Sequence, residues 1–249
     1  MATSANVHGS RQGGLDRTDG NGAQEPALGF IVTIDGPAGA GKSTVARELA
    51  RRLRFRYMDT GAMYRAATLA AQRAQLLDAS EEELAAFVGR LKIECVEDRV
   101  FVNGEDVTDE LRTRELTQAV RRLANTPAVR EKLVALQRAA GYGTNLVTEG
   151  RDQGTVVFPD ADVKIYLTAT PGVRAARRRQ EFLARGESVP FQQLLQEIIE
   201  RDRSDQKRQF GPLVPADDAI IIDTSDLNVD DVVDRVERIV RQRMRPRSR

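Results

Sequence analysis

Residues 36–43 of this chain read GPAGAGKS, which fits the pattern G-x-x-x-x-G-K-[ST]. The apolar run FIVTID (residues 30–35) precedes the pattern, and KSTVARELARRL (residues 42–53) follows it with apolar residues at helical spacing. A strand, a glycine-rich loop and a helix in this order form a phosphate-binding P-loop. The stretch therefore predicts an α/β fold with a nucleotide site at the end of its first strand.

The chemistry of a P-loop assigns roles to its residues. Glycines allow backbone N–H groups to surround phosphate oxygens, and the helix N-terminus adds partial positive charge. Lys42 is expected to reach the β- and γ-phosphates, and the Ser43 hydroxyl to coordinate Mg²⁺. Asp35 and Glu149, each at a strand end, are the candidates for ordering Mg²⁺-bound water. The predicted ATP-binding residues are Gly36, Pro37, Ala38, Gly39, Ala40, Gly41, Lys42, Ser43 and Thr44.

Five short runs typical of buried strands alternate with segments of helical period: FIVTID, FRYM, NLVTE, VKIYLT and AIIID. This alternation predicts a five-stranded parallel sheet flanked by helices. Residues 80–141 differ, because Ser80 and Glu83 form a capping-box pattern and LKIECV, RVFVN and EDV predict a small β meander. We predict one domain over residues 28–243, with 80–141 as a β-containing insertion.

Composition limits the partners and the location. The chain has 38 Lys and Arg against 37 Asp and Glu, so no basic field favours nucleic acid. No apolar run reaches the roughly 18 residues that a membrane span needs. The single Cys95 suits a reducing compartment, and we expect a cytoplasmic protein. Residues 1–27 are predicted to be a disordered tail and 244–249 a second tail. The only histidine, His8, lies in the first tail, so carboxylates, lysines and arginines must perform any chemistry.

A P-loop alone is compatible with a GTPase, an ATPase or a kinase of a small acceptor. The sequence contains no Asn-Lys pair, so the guanine-reading N-K-x-D motif is absent. A kinase also needs a mobile lid that brings arginines over both substrates. PGVRAARRRQEFLARG predicts a helix over residues 171–186, and we assign 171–190 to an arginine-rich lid. Arg174, Arg177 and Arg178 are the predicted catalytic cations of this lid, and a solvated basic helix is the alternative.

The stretch ERDRSDQKR (residues 200–208) directly follows the apolar stripe of FQQLLQEIIE. On an ideal helix Arg201, Asp205 and Arg208 cluster beside that stripe. Weak surface ion pairs at i,i+4 spacing are one interpretation. Charged residues beside a core-facing stripe also suit the wall of a cleft, because unpaired charges are costly to bury.

Five stretches occur in one order along the chain: IDGPAGAGKST, YMDTGAMYR, EGRDQGTVVFPDA, ERDRSDQKR and PLVPADDAIIIDT. In this order and spacing the chain resembles the bacterial cytidylate kinases over residues 30 to about 240. The resemblance implies the nucleoside monophosphate kinase type of P-loop fold, with the insertion in the monophosphate-binding region. It also implies a monomer that uses ATP and Mg²⁺ to phosphorylate CMP and dCMP in pyrimidine nucleotide metabolism.

The resemblance assigns the acceptor site residue by residue. It places Arg65, Arg151 and Arg208 at the acceptor phosphate, Arg201 and Asp205 at the sugar, and Thr60, Arg130 and Asp152 at the acceptor nucleotide. Arg151 is also counted with Lys42 among the catalytic residues. A carboxylate at Asp152 and a guanidinium at Arg130 complement the N4 donor and the N3 and O2 acceptors of cytosine. Arg121 departs from the family, which generally has a serine there, so base contacts at that position are open.

Two other functions stay open at this point. A P-loop kinase of a different small acceptor would share the loop and the lid. It would lack the contact of Asp205 with the sugar and the contacts of Arg130 and Asp152 with the base. A nucleotide-binding regulatory protein would bind ATP without forming product. Intact Lys42 and Ser43, together with the lid arginines, argue against the second function.

Overall fold

The computed structural model describes residues 29–96 and 98–244. The predicted N-terminal tail, with His8, lies outside the described residues, as do residues 245–249 of the predicted C-terminal tail. No helix within the described ranges is long and apolar enough to cross a bilayer.

The core of the fold is a parallel sheet of five strands in the order β2-β6-β1-β7-β8. Its strands are β1 (Ile31–Asp35), β2 (Arg56–Asp59), β6 (Leu146–Gly150), β7 (Val163–Thr168) and β8 (Ile220–Asp223). The predicted five-stranded parallel sheet is therefore confirmed, with β2 beginning one residue later than the run FRYM. β1 pairs with both β6 and β7, so the P-loop leaves the sheet at its centre.

Helices lie on both faces of the sheet. The helices of the described residues are α1 (Lys42–Leu53), α2 (Thr60–Arg73), α3 (Glu81–Val88), α4 (Arg114–Ala124), α5 (Pro127–Gly141), α6 (Pro171–Ala184), α7 (Phe191–Gln206) and α8 (Val229–Met244). Side chains alternate along a strand. Val32 and Ile34 of β1 accordingly belong to the apolar cluster that includes residues of α1 and α8, whereas Ile31 belongs to the cluster on the other face, with residues of α2, α3 and α5. Burial of both faces explains the continuous apolar runs of β1 and β6. The edge strands β2 and β8 are also predicted to be buried, but they are only partly so, and Ile221 is 56% exposed.

The predicted insertion contains an antiparallel meander of β3 (Ile93–Val96), β4 (Arg99–Val102) and β5 (Glu105–Asp106). The capping box is present, because the Ser80 hydroxyl accepts from the Glu83 N–H at 3.2 Å and the Glu83 carboxylate accepts from the Ser80 N–H at 3.3 Å. Helices α4 and α5 complete this region and carry Arg121 and Arg130 to the central cleft.

Helices α6 and α7 form a hairpin with an apolar cluster of its own: Ala175, Val189, Leu194 and Ile198. The hydroxyl of Thr170 accepts from the Val173 N–H at 3.3 Å and caps α6 at its predicted start. Gly186 follows the helix with a φ of 79°, a conformation that favours glycine. A helix is thus present where the sequence predicts the lid, and residues 185–190 connect it to the apolar first half of α7.

Candidate active site

The P-loop joins β1 to α1 and is closed on two sides. Gly36 has a φ of 145° and Gly39 a φ of 79°. A Cβ at Gly36 would overlap the Leu167 carbonyl of β7, and one at Gly39 would lie 3.1 Å from the Arg174 Cβ of α6. Only glycine combines this backbone with this close approach. The loop therefore packs closely against β7 at Gly36 and against α6 at Gly39.

Lys42 opens α1 and is nearly fully buried, with 5% of its surface exposed. Its Nζ donates to the Pro37 carbonyl at 2.9 Å, which turns the ammonium back over the loop. Burial, followed by the charge of Arg151, lowers the pKa of Lys42. An anion bound in the loop would counter both effects, so this lysine is suited to a phosphate partner.

Two carboxylates stand beside the P-loop, and they have different partners. The Ser43 hydroxyl donates to Glu149 Oε1 at 2.5 Å, at the end of β6. Burial, followed by Asp59, raises the pKa of Glu149. Asp35 instead accepts the backbone N–H groups of Gln153 and Gly154 at 2.9 and 2.7 Å, and burial raises its pKa to about 7. Glu149 thus forms a hydrogen bond with Ser43 of the P-loop, whereas Asp35 stabilises the turn that follows β6 through its two backbone hydrogen bonds.

The charged half of α7 forms one wall of a cavity of about 350 Å³. Asp205 accepts from Arg151 Nε at 2.9 Å and from Arg208 Nη2 at 2.5 Å, and Arg201 Nε lies 4.0 Å away. Burial opposes ionisation of Asp205, but Arg151 and Arg208 outweigh it, so its pKa is lowered. One carboxylate facing three guanidiniums leaves a net positive site, which suits a phosphate dianion. Arg208 lies just past the end of α7 rather than on it.

A second charged pair lies deeper, where α5 meets the turn after β6. Arg130 Nη2 and Asp152 Oδ2 form an ion pair, and the two residues are 2% and 5% exposed. Arg130 Nη1 also donates to the Ala124 carbonyl at 3.2 Å. The rings of Tyr64 and Phe210 lie 5.6 and 5.7 Å from its guanidinium carbon. Sequence analysis assigned a role to neither aromatic residue, although Tyr64 lies within the quoted stretch YMDTGAMYR and Phe210 follows ERDRSDQKR by two residues.

The remaining predicted acceptor residues lie on the same cavity. Arg65 Nη2 pairs with Asp59 at 3.2 Å, and Thr60 donates to the Glu149 carbonyl at 2.7 Å. Arg121 is exposed and lines the cavity from α4. The predicted residues that line this cavity are Ala38, Gly39, Gly41, Lys42, Ser43, Thr44, Thr60, Arg65, Arg130, Glu149, Arg151, Asp152, Arg178, Arg201, Asp205 and Arg208.

The three lid arginines differ in their surroundings. Arg174 is 3% exposed, pairs with Asp202 at 2.6 Å and donates to the P-loop carbonyl of Ala38 at 3.1 Å. Arg177 donates to the hydroxyl and the carbonyl of Thr224 at 3.0 and 2.5 Å. Arg178 alone among these three lines the cavity. Its buried Nε has no hydrogen-bond partner in the described part of the chain. The structure therefore uses Arg174 and Arg177 to fasten the lid helix, and the catalytic role of all three stays a prediction.

Comparison with known proteins agrees with this geometry. The family model for cytidylate kinase matches residues 32–242. A cytidylate kinase of Pelotomaculum thermopropionicum is 53% identical over 207 residues, which cover 81% of this chain and 92% of that protein. Cytidylate kinases of Mycobacterium leprae and a Geobacillus species are 47% and 46% identical, each over 86% of this chain and over 96% and 97% of those proteins. The chain belongs to the cytidylate kinase family.

Proposed function

We propose that this protein transfers the γ-phosphoryl group of ATP to CMP and dCMP, giving ADP with CDP or dCDP. The observation that supports this most directly is the placement of two phosphate-binding arrays on one cavity. Lys42 and the P-loop form one array, and the arginines around Asp205 form the other. A regulatory nucleotide-binding protein would need only the first array.

The acceptor phosphate is assigned to Arg65, Arg151 and Arg208, and the sugar to Arg201 and Asp205, all of which line the cavity. A phosphate oxygen is already an anionic nucleophile, so the reaction needs no general base. What it needs is alignment of the two substrates and neutralisation of the charge on the transferring group. Lys42 on one side and Arg151 on the other are the groups assigned to that neutralisation. Asp205 holds Arg151 and Arg208 in place and remains within reach of a sugar hydroxyl.

The base of the acceptor is assigned to Arg130 and Asp152. The Asp152 carboxylate would accept from the cytosine N4 amino group, and Arg130 would donate to N3 or O2. Uracil places a carbonyl where cytosine has the amino group, so it would meet the carboxylate as a second acceptor. Buried polar sites reject such a mismatch strongly, because a polar group is left unpaired. The pair therefore favours cytosine over uracil.

A magnesium ion is proposed to bind with ATP at Ser43 and Glu149. Their 2.5 Å contact places a hydroxyl and a carboxylate side by side at the start of α1. No group of three or more His, Cys, Asp or Glu side chains suited to a metal occurs within residues 29–96 and 98–244. This fits Mg²⁺, which takes one or two protein oxygens and completes its shell with water and substrate phosphates. When bound, the ion neutralises charge on the β- and γ-phosphates.

The lid is assigned a role in closing the cavity. Arg178 is the lid arginine already directed at the cavity, so it is the one proposed to meet the transferring phosphoryl group. Arg174 is proposed to link the lid to the P-loop through its contact with the Ala38 carbonyl. Residues 80–141 and 171–190 are proposed as the acceptor-binding and lid regions of a single domain. A monomeric state and a cytoplasmic location also remain predictions.

The test is ADP formation from ATP and Mg²⁺ with CMP, dCMP, UMP or AMP offered separately. The proposed function predicts fast turnover with CMP and dCMP and slow turnover with UMP and AMP. Fast turnover with a different monophosphate would show that the acceptor is misassigned. ATP binding without turnover of any acceptor would favour the regulatory function instead.

A further inference from the structure

The segment between α7 and β8 packs on the buried Arg130–Asp152 pair. Phe210 is half-buried, with its ring 5.7 Å from the guanidinium carbon of Arg130. Gly211 is buried and has a φ of 62°. A Cβ at position 211 would overlap both Asp152 Oδ2 and Arg130 Nη2. Both residues thus touch the charged groups that the proposed function assigns to the base.

Besides Phe210 and Gly211, the ring of Tyr64 packs on the pair, 5.6 Å from the guanidinium carbon of Arg130. Arg130 donates from Nη1 to the Ala124 carbonyl at 3.2 Å, and its buried Nε has no partner among the residues that the structure describes. Burial raises the pKa of Asp152, while Arg130 is the main group that lowers it. The position of the pair is therefore set largely by what packs against it.

The segment that packs on the pair is itself hydrogen-bonded to α7, which forms one wall of the cavity. The N–H of Leu213 donates to the backbone carbonyl of Asp205 at 2.9 Å, and Leu213 is 2% exposed. Gly211 thus lies between this hydrogen bond to Asp205 and the Arg130–Asp152 pair. A shift of this segment would move the pair relative to the cavity.

We infer that Phe210 and Gly211 are positioning residues for base recognition, holding the Arg130–Asp152 pair where it distinguishes cytosine from uracil. The inference rests on the proposed function and extends it to residues that do not line the cavity. Phe210 stabilises the guanidinium through its ring face. Gly211 leaves the space that the pair occupies, and any side chain there would displace it.

The first variant is Gly211→Ala, with Gly143→Ala as its matched control. Gly143 has a similar φ of 68°, but a Cβ there would meet nothing within 4 Å. The control thus carries the backbone strain without the overlap. For Gly211→Ala we expect kcat/KM for CMP to fall by about 10²-fold, because a displacement near 1 Å costs roughly that much. The preference for CMP over UMP should fall with it, while the KM for ATP stays unchanged.

The second variant, Phe210→Leu, keeps an apolar side chain and removes the ring. We expect the KM for CMP to rise roughly 3- to 10-fold, with kcat and the KM for ATP unchanged. Thermal unfolding of each variant identifies any that fails to fold, and Phe210→Leu then decides the question if Gly211→Ala does not fold. If the wild type turns over CMP and both variants match Gly143→Ala, the inference is overturned. If the wild type does not turn over CMP, the proposed function itself has failed.

Discussion

Replacing Asp205 by Asn removes the carboxylate that three arginines share. Asp205 accepts from Arg151 and Arg208 at 2.9 and 2.5 Å, and Arg201 lies 4.0 Å away. The Asn side chain keeps the shape and one acceptor oxygen but removes the charge. The three guanidiniums would then face one another without a neutralising partner.

The size of the effect follows from burial. Removing one partner of a buried ion pair typically costs 3–5 kcal/mol. The Asp205 side chain is 3% exposed, but those of its three arginine partners are 10–26% exposed, and solvent screens them in part. We therefore expect Asp205→Asn to lower the free energy of unfolding by about 3 kcal/mol. For a chain of this size that corresponds to a fall in Tm of roughly 6–12 °C.

The pH dependence has a definite sign. The pKa of Asp205 is lower in the folded protein than in the unfolded chain. The ionised carboxylate therefore stabilises the fold at pH values above the ordinary pKa of an aspartate. Its contribution is lost as the pH falls below about 4. The stability difference between wild type and Asp205→Asn should therefore be full at neutral pH and shrink in acid.

The assay is chemical and thermal unfolding with Asp218→Asn as the control. Asp218 pairs with Lys164 at 2.9 Å but is 66% exposed, so its loss should cost less than about 1 kcal/mol. Inorganic phosphate should raise the Tm of Asp205→Asn more than that of the wild type, since the anion replaces the missing charge. Equal stability of the two variants, or equal effects of phosphate on Asp205→Asn and wild type, would refute the reasoning.

Three further predictions concern other parts of the site. Burial raises the pKa of Asp35 to about 7, so its contribution to folding stability falls as pH rises from about 4 to 7. The difference in unfolding free energy between wild type and Asp35→Asn should decline over this interval, and a constant difference would contradict it. Asp152→Asn should reduce the CMP preference over UMP by at least about 10-fold in kcat/KM, because Asn presents a donor to the uracil O4. An unchanged preference would exclude Asp152 from the base site. Glu149→Gln should raise the Mg²⁺ concentration for half-maximal rate by about 10-fold or more without changing the KM for CMP. A rate that depends on Mg²⁺ as in the wild type would exclude Glu149 from the metal site.

The sequence predicts the sheet and the P-loop well because both depend on local patterns. Apolar runs identify all five sheet strands, and spacing alone places Lys42 at the start of α1. The clustering of Arg201, Asp205 and Arg208 follows from helical periodicity, even though Arg208 lies beyond the helix end. These features involve residues close together in the chain.

Other features depend on packing between distant segments, and no local pattern contains them. The contact of Phe210 and Tyr64 with Arg130 joins α2, α5 and the segment after α7. The lid arginines share one basic helix, but Arg174 finds a partner in Asp202 and Arg177 finds one in Thr224. A helical pattern indicates which residues are exposed on one helix. It does not indicate what the neighbouring element offers them.

The central claim is that the P-loop binds the triphosphate of ATP and the arginines around Asp205 bind the phosphate of the acceptor, across one cavity. The most direct measurement is the affinity of a single ligand in which adenosine and cytidine are joined through five phosphates, by calorimetry on wild type, Lys42→Ala and Arg208→Ala. Such a ligand should bind the wild type 10²- to 10⁴-fold more tightly than ATP or CMP alone, on the order expected when two sites are occupied together. Each variant should lose most of that gain. Binding no tighter than that of ATP, or a loss confined to Lys42→Ala, would contradict the account.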